Sequence, residues 1–288
     1  MTAAASNWNL WRRQIFAIMR IDLRKTFFAK RGLWIYLLAF APEVPMIGHW
    51  LFSRGNQVGD SLGQDVQIFS GIFQFFYLRV AVFFGCVGIF SNLFRGEMMD
   101  KSLHYYLLAP VRREVLVAGK FLSGLTAAIV IFAGSTVLQF PAMFWHHGRE
   151  LMNAYMFAGP GMSHLISYVL ATILACIGYG SLFLAAGVLF RNPLIPAAGL
   201  LVWEGINGFL PAVLKKLSII YWLQSICPIP MPVQQQGGGR GNIMQLLVID
   251  IDPAPAHVAI INLLLIAGFV VVWAALRARR LEIAYGTE

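Results

Sequence analysis

Six long apolar blocks limit this chain to one kind of fold. They run from Trp34 to Phe52, Ile68 to Phe94, Val115 to Trp145, Met162 to Phe190, Leu194 to Leu214 and His257 to Leu276. A helix needs about 20 apolar residues to cross roughly 30 Å of hydrocarbon, and each block is of that order. The expected fold is an all-α membrane protein with six transmembrane helices. Some blocks exceed one crossing, so tilt or a broken helix is expected among them. Only 12% of the residues are charged, against about 25% in a soluble domain. The net charge of +9 would suggest nucleic acid in a soluble protein. Here no basic stripe interleaved with aromatics lies outside the blocks, and the cations flank spans and face anionic lipid.

The basic residues divide unevenly between the two sides. Of the 22 Lys and Arg, fifteen fall on the side of the termini and five on the other; Arg79 and Lys120 lie inside blocks. The positive-inside rule puts both termini in the cytoplasm. The first thirty residues are not a signal peptide, because Arg12, Arg13, Arg20, Asp22, Arg24 and Lys25 interrupt any apolar core. Trp8, Trp11, Ile15, Met19, Leu23 and Phe27 recur at helical spacing with cations between them. That pattern predicts an amphipathic helix lying in the interface, ended by Lys30-Arg31-Gly32. The expected layout is a cytoplasmic segment 1–32, a membrane domain 33–276 and a cytoplasmic tail 277–288. Within the membrane domain, loop 95–113 is cytoplasmic and loop 215–256 lies outside.

Loop 95–113 is charged and amphipathic and sits between two apolar blocks, a form suited to docking a soluble partner at the membrane face. Its residues Arg95, Glu97, Leu103, Leu107, Leu108, Pro110, Val111 and Arg112 are followed by Gly119-Lys120 at the opening of the next block. In order and spacing this resembles the loop between the second and third spans of permease subunits of type-2 ABC exporters. The close match covers about thirty residues, and the six-span layout extends a looser resemblance to nearly the whole chain. The resemblance implies an interfacial elbow helix before span one and a pore formed by two copies. It also implies separate ATPase chains that bind ATP and Mg and dock on the loop, with no cofactor in this chain. The residues implied for that contact are Arg95, Glu97, Met98, Lys101, Leu103, Tyr105, Tyr106, Arg112 and Arg113. A bacterial cytoplasmic (inner) membrane is the implied location.

Three charges fall at mid-depth of their blocks. A charge there is costly, by about 2.5–3.5 kcal/mol or more on insertion scales, so each needs a reason. Glu43 lies between Pro42 and Pro45 in the first block, Arg79 in the second and Glu204 in the fifth. Glu43 and Arg79 are at matching depth on adjacent antiparallel spans, which predicts a structural bridge over a substrate role. The prolines also predict a broken first span. Glu204 has no obvious partner, although Arg79 could be shared. Asn207 follows one turn later on the same face, as a cavity-lining stripe or an interhelical hydrogen-bonding group.

The outer loop holds a short apolar stretch, Leu217 to Ile226, that predicts a short helix or re-entrant segment ended by Pro228, Pro230 and Pro232. Gln234 to Gly241 is of low complexity. His146-His147 reads as surface imidazoles in preference to a two-histidine metal site. Cys86, Cys176 and Cys227 have no metal-ligand spacing and no even count for a disulfide framework.

No catalytic constellation emerges. Gly119-Lys120 lacks the earlier glycine of a P-loop and is followed by Phe121, and H-E-x-x-H, G-x-S-x-G and C-x-x-C are absent. The chain therefore reads as a transport subunit and not an enzyme, with ATP hydrolysis on a partner. Two other readings remain. One is an ion-coupled carrier using Glu43, Arg79 and Glu204, against which the missing internal repeat counts. The other is a non-transporting membrane scaffold.

Overall fold

The computed structural model describes residues 2–28, 32–53, 62–99, 108, 111–190, 192–207, 210–230 and 254–279. Helix dominates these residues, and no strand occurs among them. Four helical runs are long and apolar enough to cross a membrane: Leu62–Met98, Arg113–His147, Gly161–Leu189 and Ala256–Ala278. Leu33–His49 and Leu194–Gly205 are apolar but shorter. The chain is an all-α, membrane-embedded protein.

Helix α1 (Thr2–Phe28) lies along the third apolar block. Among its described side chains Ile18 and Asp22 are buried, while Trp8 and Phe16 are exposed. The expected stripe is half-buried from Trp11 to Phe27, and Ile18 and Asp22 beside it are enclosed. The acid, Asp22, turns inward to a lysine on the helix beneath it.

The first block breaks as its prolines predict. Helix α2 (Leu33–Phe40) ends at a turn over Ala41-Pro42, and α3 (Glu43–Ser53) begins beyond it. Proline has no N–H to continue the ladder. A carbonyl left open at such a break must find another donor at this depth. Gln139 Nε2 donates to the Ala39 carbonyl at 2.6 Å.

The second block starts earlier than expected. Helix α4 (Leu62–Ile72) runs through a wider, π-helical stretch (Phe73–Val82) into α5 (Phe83–Met99). The π-helical stretch is anchored by Tyr77, whose hydroxyl donates to the Phe132 carbonyl at 2.5 Å and accepts from Thr136 Oγ1 at 3.2 Å. Helix α6 (Arg113–Phe144) is the third block; a 3-10 turn over Trp145–His147 ends it. After Gly148 come α7 (Arg149–Asn153) and α8 (Gly161–Leu189).

Helix α8 is the centre of the bundle. It packs against α5, α6 and the last helix, α12 (Ala256–Ala278). Its most apolar window is 72% buried, against 22% for α12, so α8 is enclosed by the other helices and α12 leaves most of its surface uncovered. The fifth block does not run to Leu214. Helix α9 (Leu194–Gly205) stops at Gly205, followed by α10 (Ala212–Lys215) and α11 (Ile219–Ile226). The short helix expected over Leu217–Ile226 is α11, and it is buried against α8 and α12. The low-complexity stretch Gln234–Gly241 lies outside the described residues.

Candidate coupling end and buried charges

Helix α5 carries Arg95, Glu97 and Met98, and the next helix opens at Arg113. Between them Lys101, Leu103, Tyr105 and Tyr106 lie outside the described residues, as do Leu107 and Pro110. Arg95 is described only as helical backbone. Met98 is half-buried, and Leu108 and Arg112 are exposed.

Glu97 does not face outward. Its carboxylate is buried, with Oε2 2.7 Å from Lys120 Nζ and Oε1 3.4 Å from Lys25 Nζ. Lys120 is wholly buried, 3.4 Å from Asp22 Oδ2, with its ammonium 5.5 Å from the centre of the Phe94 ring. Asp22, Glu97 and Lys120 are out of solvent, and the exposed Lys25 closes the group from the water side, so two acids meet two bases. Burial pushes the Asp22 carboxyl above its ordinary range, while Lys120 pulls it back. Gly119 lets the helices meet here: a Cβ at that position would sit 3.2 Å from Ile18 of α1. Gly119 and Lys120 thus supply the space and the charge that bind α1 to α6.

The two arginines closing the loop also have local partners. The Arg112 guanidinium lies 4.9 Å over the Trp11 ring of α1. Arg113 Nη1 donates to the carbonyls of Arg279 at 2.7 Å and Ala278 at 3.3 Å. A cation at a helix C-terminus satisfies open carbonyls and opposes the helix dipole. Arg279 in turn pairs with Glu114. This proximal end of the bundle therefore joins α1, α5, α6 and α12.

The mid-depth charges are arranged differently from the sequence expectation. Glu43 opens α3 half-buried and makes no ion pair with Arg79 among the described residues. Matching depth leaves the rotation of each helix open, and Arg79 is carried by the π-helical stretch. Arg79 lies instead within electrostatic reach of Tyr179 on α8 and Glu204 on α9.

Glu204 has partners after all. Its Oε2 accepts from Ser218 Oγ at 2.7 Å and Ile220 N–H at 3.0 Å, and its Oε1 accepts from Ile219 N–H at 3.0 Å. Those amides open α11, and a carboxylate there caps the helix and meets its positive dipole end. Asn207 is buried nearby in sequence. Among the described residues Asn207 Nδ2, Arg79 Nε and Tyr179 OH are buried without hydrogen-bond partners.

At the opposite, distal end His146 and His147 are not surface imidazoles. Their side chains are only 12% and 9% exposed, and both face Asp65. A groove of about 880 Å³ opens between α2, α5 and α9, lined by Trp34, Gly88, Ser91, Phe190 and Leu194 among others. No protein-family model matches the chain, and no curated protein does.

The sequence left Asp22, Asp65 and His49 without a role. The one available signal was Lys120: a lysine inside an apolar block demands an acid, and the acids lie on other elements.

Proposed function

We propose that this chain is the membrane-spanning permease subunit of a type-2 ABC exporter. It has six spans, α1 as its interfacial elbow helix and both termini in the cytoplasm. Separate ATPase chains bind ATP and Mg and dock on loop 95–113, and a second copy of this chain completes the pathway across the groove between α2, α5 and α9. The observation that carries this reading is the ion network of Asp22, Lys25, Glu97 and Lys120. It ties α1 to both helices that flank the loop. A push on the loop then moves α1, α5 and α6 as one body, which is what coupling through a packed contact requires. The uneven distribution of Lys and Arg supports a cytoplasmic loop. The unpartnered donors around Arg79, Tyr179 and Asn207 are the polar groups this reading offers to cargo.

Cross-linking from Lys101, Tyr105 or Tyr106 in native membranes tests the reading. A P-loop ATPase captured from these positions, and not from distal ones, is the expected outcome. Capture of no ATPase in a membrane where the chain is active would overturn it. The ion-coupled carrier is the second reading. Glu204 disfavours it, because both carboxylate oxygens are engaged in capping α11.

A further inference from the structure

Four titratable side chains meet at the distal end, outside everything the transport reading uses. Asp65, in the first turn of α4, is fully buried. His146 and His147 come from the 3-10 turn that ends α6, and His49 comes from α3. His146 Nε2 and His147 Nε2 lie 3.0 and 2.6 Å from Asp65 Oδ2, and His49 Nε2 lies 3.0 Å from Oδ1. The donor atoms of Asp65, His146 and His147 all fall within 4.8 Å of one another.

We propose that Asp65, His146 and His147 form a binding site for a divalent transition-metal ion of the zinc class, with His49 holding the carboxylate in place. Three observations converge on it. Among the described residues the ion-pair partners of this buried carboxylate are all histidines. A dication bound between these imidazoles and the carboxylate compensates the buried anion in a dry site. Both ring nitrogens of His146 are buried without a hydrogen bond, although Nε2 is close to the carboxylate. An imidazole with two unmet nitrogens beside an anion is a ligand short of its metal.

The spacing fits as well. Zinc binds His nitrogen and carboxylate oxygen at about 2.0–2.2 Å in tetrahedral geometry, which sets ligand atoms roughly 3.3 Å apart. The two nitrogen–oxygen distances of 3.0 and 2.6 Å need an opening of less than about 1 Å, and the two imidazole nitrogens, within 4.8 Å of each other, complete the triangle on closing to that spacing. Two imidazoles and one carboxylate suit zinc and its first-row neighbours over magnesium or calcium, which prefer oxygen. His49, on the second carboxylate oxygen, is placed as an outer ligand-orienting group. The remaining coordination position is open to water or to an exogenous ligand.

Gly148 shapes the turn that presents the pair. Its φ of +84° is in the region that favours glycine, and it follows His147 directly. The ion would bind together α3, α4 and the end of α6, the distal counterpart of the ionic joint at the proximal end.

The test uses the full chain, purified in detergent without a polyhistidine tag and stripped with a chelator. Zinc is titrated against a chromophoric competitor, and cobalt is added separately. The expected result is one zinc per chain, a raised thermal midpoint, and the intense visible absorption of low-symmetry cobalt. His146→Ala with His147→Ala should abolish all three, and His49→Gln should weaken binding by about 10–100-fold. A native chain that takes up no stoichiometric zinc and gives no cobalt spectrum overturns the proposal. So does stoichiometric binding that survives the double substitution. The cobalt measurement on the native chain needs no variant, so a misfolded variant leaves the test intact.

Discussion

Lys120 Nζ sits 2.7 Å from Glu97 Oε2, and both side chains are out of solvent. The pair joins the end of α5 to the first turns of α6. Through Asp22 and Lys25 the same pair fastens α1. Glu97 therefore has an internal role, and its substitution affects folding before it affects docking.

Lys120→Met should leave Asp22 and Glu97 buried and facing each other. Breaking one side of a buried ion pair costs about 3–5 kcal/mol. The thermal midpoint of the purified chain in detergent should fall sharply. Combining Lys120→Met with Asp22→Asn and Glu97→Gln should restore most of the loss, since the uncompensated charges are then gone. A triple variant as unstable as the single one would show that the network is not what stabilises this end.

Glu204→Gln should loosen α11. Glutamine keeps one acceptor oxygen where the carboxylate has two, and it loses the charge that meets the helix terminus. The expected loss is about 1–3 kcal/mol, that of leaving buried donors unsatisfied. Hydrogen exchange over 219–226 should accelerate while α8 stays protected. A carrier using Glu204 as a proton relay would instead lose its dependence on a pH gradient, with α11 unchanged.

Gly119→Leu should lift α1 from α6. A Cβ at this position already meets Ile18 at 3.2 Å, and the added side chain has nowhere to go. Overpacking of this kind costs about 1–3 kcal/mol. Limited proteolysis should then cut within Thr2–Phe28 faster than in the native chain. Ile18→Ala in the same chain should recover part of the protection.

Gln139→Leu should weaken the broken first span. The Ala39 carbonyl would lose its donor, at about 1–3 kcal/mol for a buried unpaired group. Exchange over 33–53 should rise more than over α8.

The helices were legible because apolar length is a strong signal, and the break in the first span was legible from Pro42 and Pro45. Helix α11 could be read from the apolar run before Pro228. The joints between elements could not. Lys120 and Asp22 are 98 positions apart, and Lys25 and Glu97 are 72 apart, so each reads as an isolated charge. Glu204 caps amides contributed after an intervening turn, a relationship that spacing does not encode. The metal-type cluster draws His49, Asp65 and His146-His147 from three elements. With α4 expected to begin near Ile68, Asp65 fell in a loop. The Glu43–Arg79 bridge followed from matching depth, but depth leaves the rotation of each helix undetermined.

The most direct test of the transport reading is to purify the chain gently from its native membrane and identify what accompanies it. Arg113 and Glu97 have internal partners, so the informative variants are Lys101→Ala, Tyr105→Ala and Tyr106→Ala. The account predicts a co-purifying P-loop ATPase that is lost in these variants while the thermal midpoint of the chain is unchanged. An active chain that comes alone, or with only copies of itself, would contradict it.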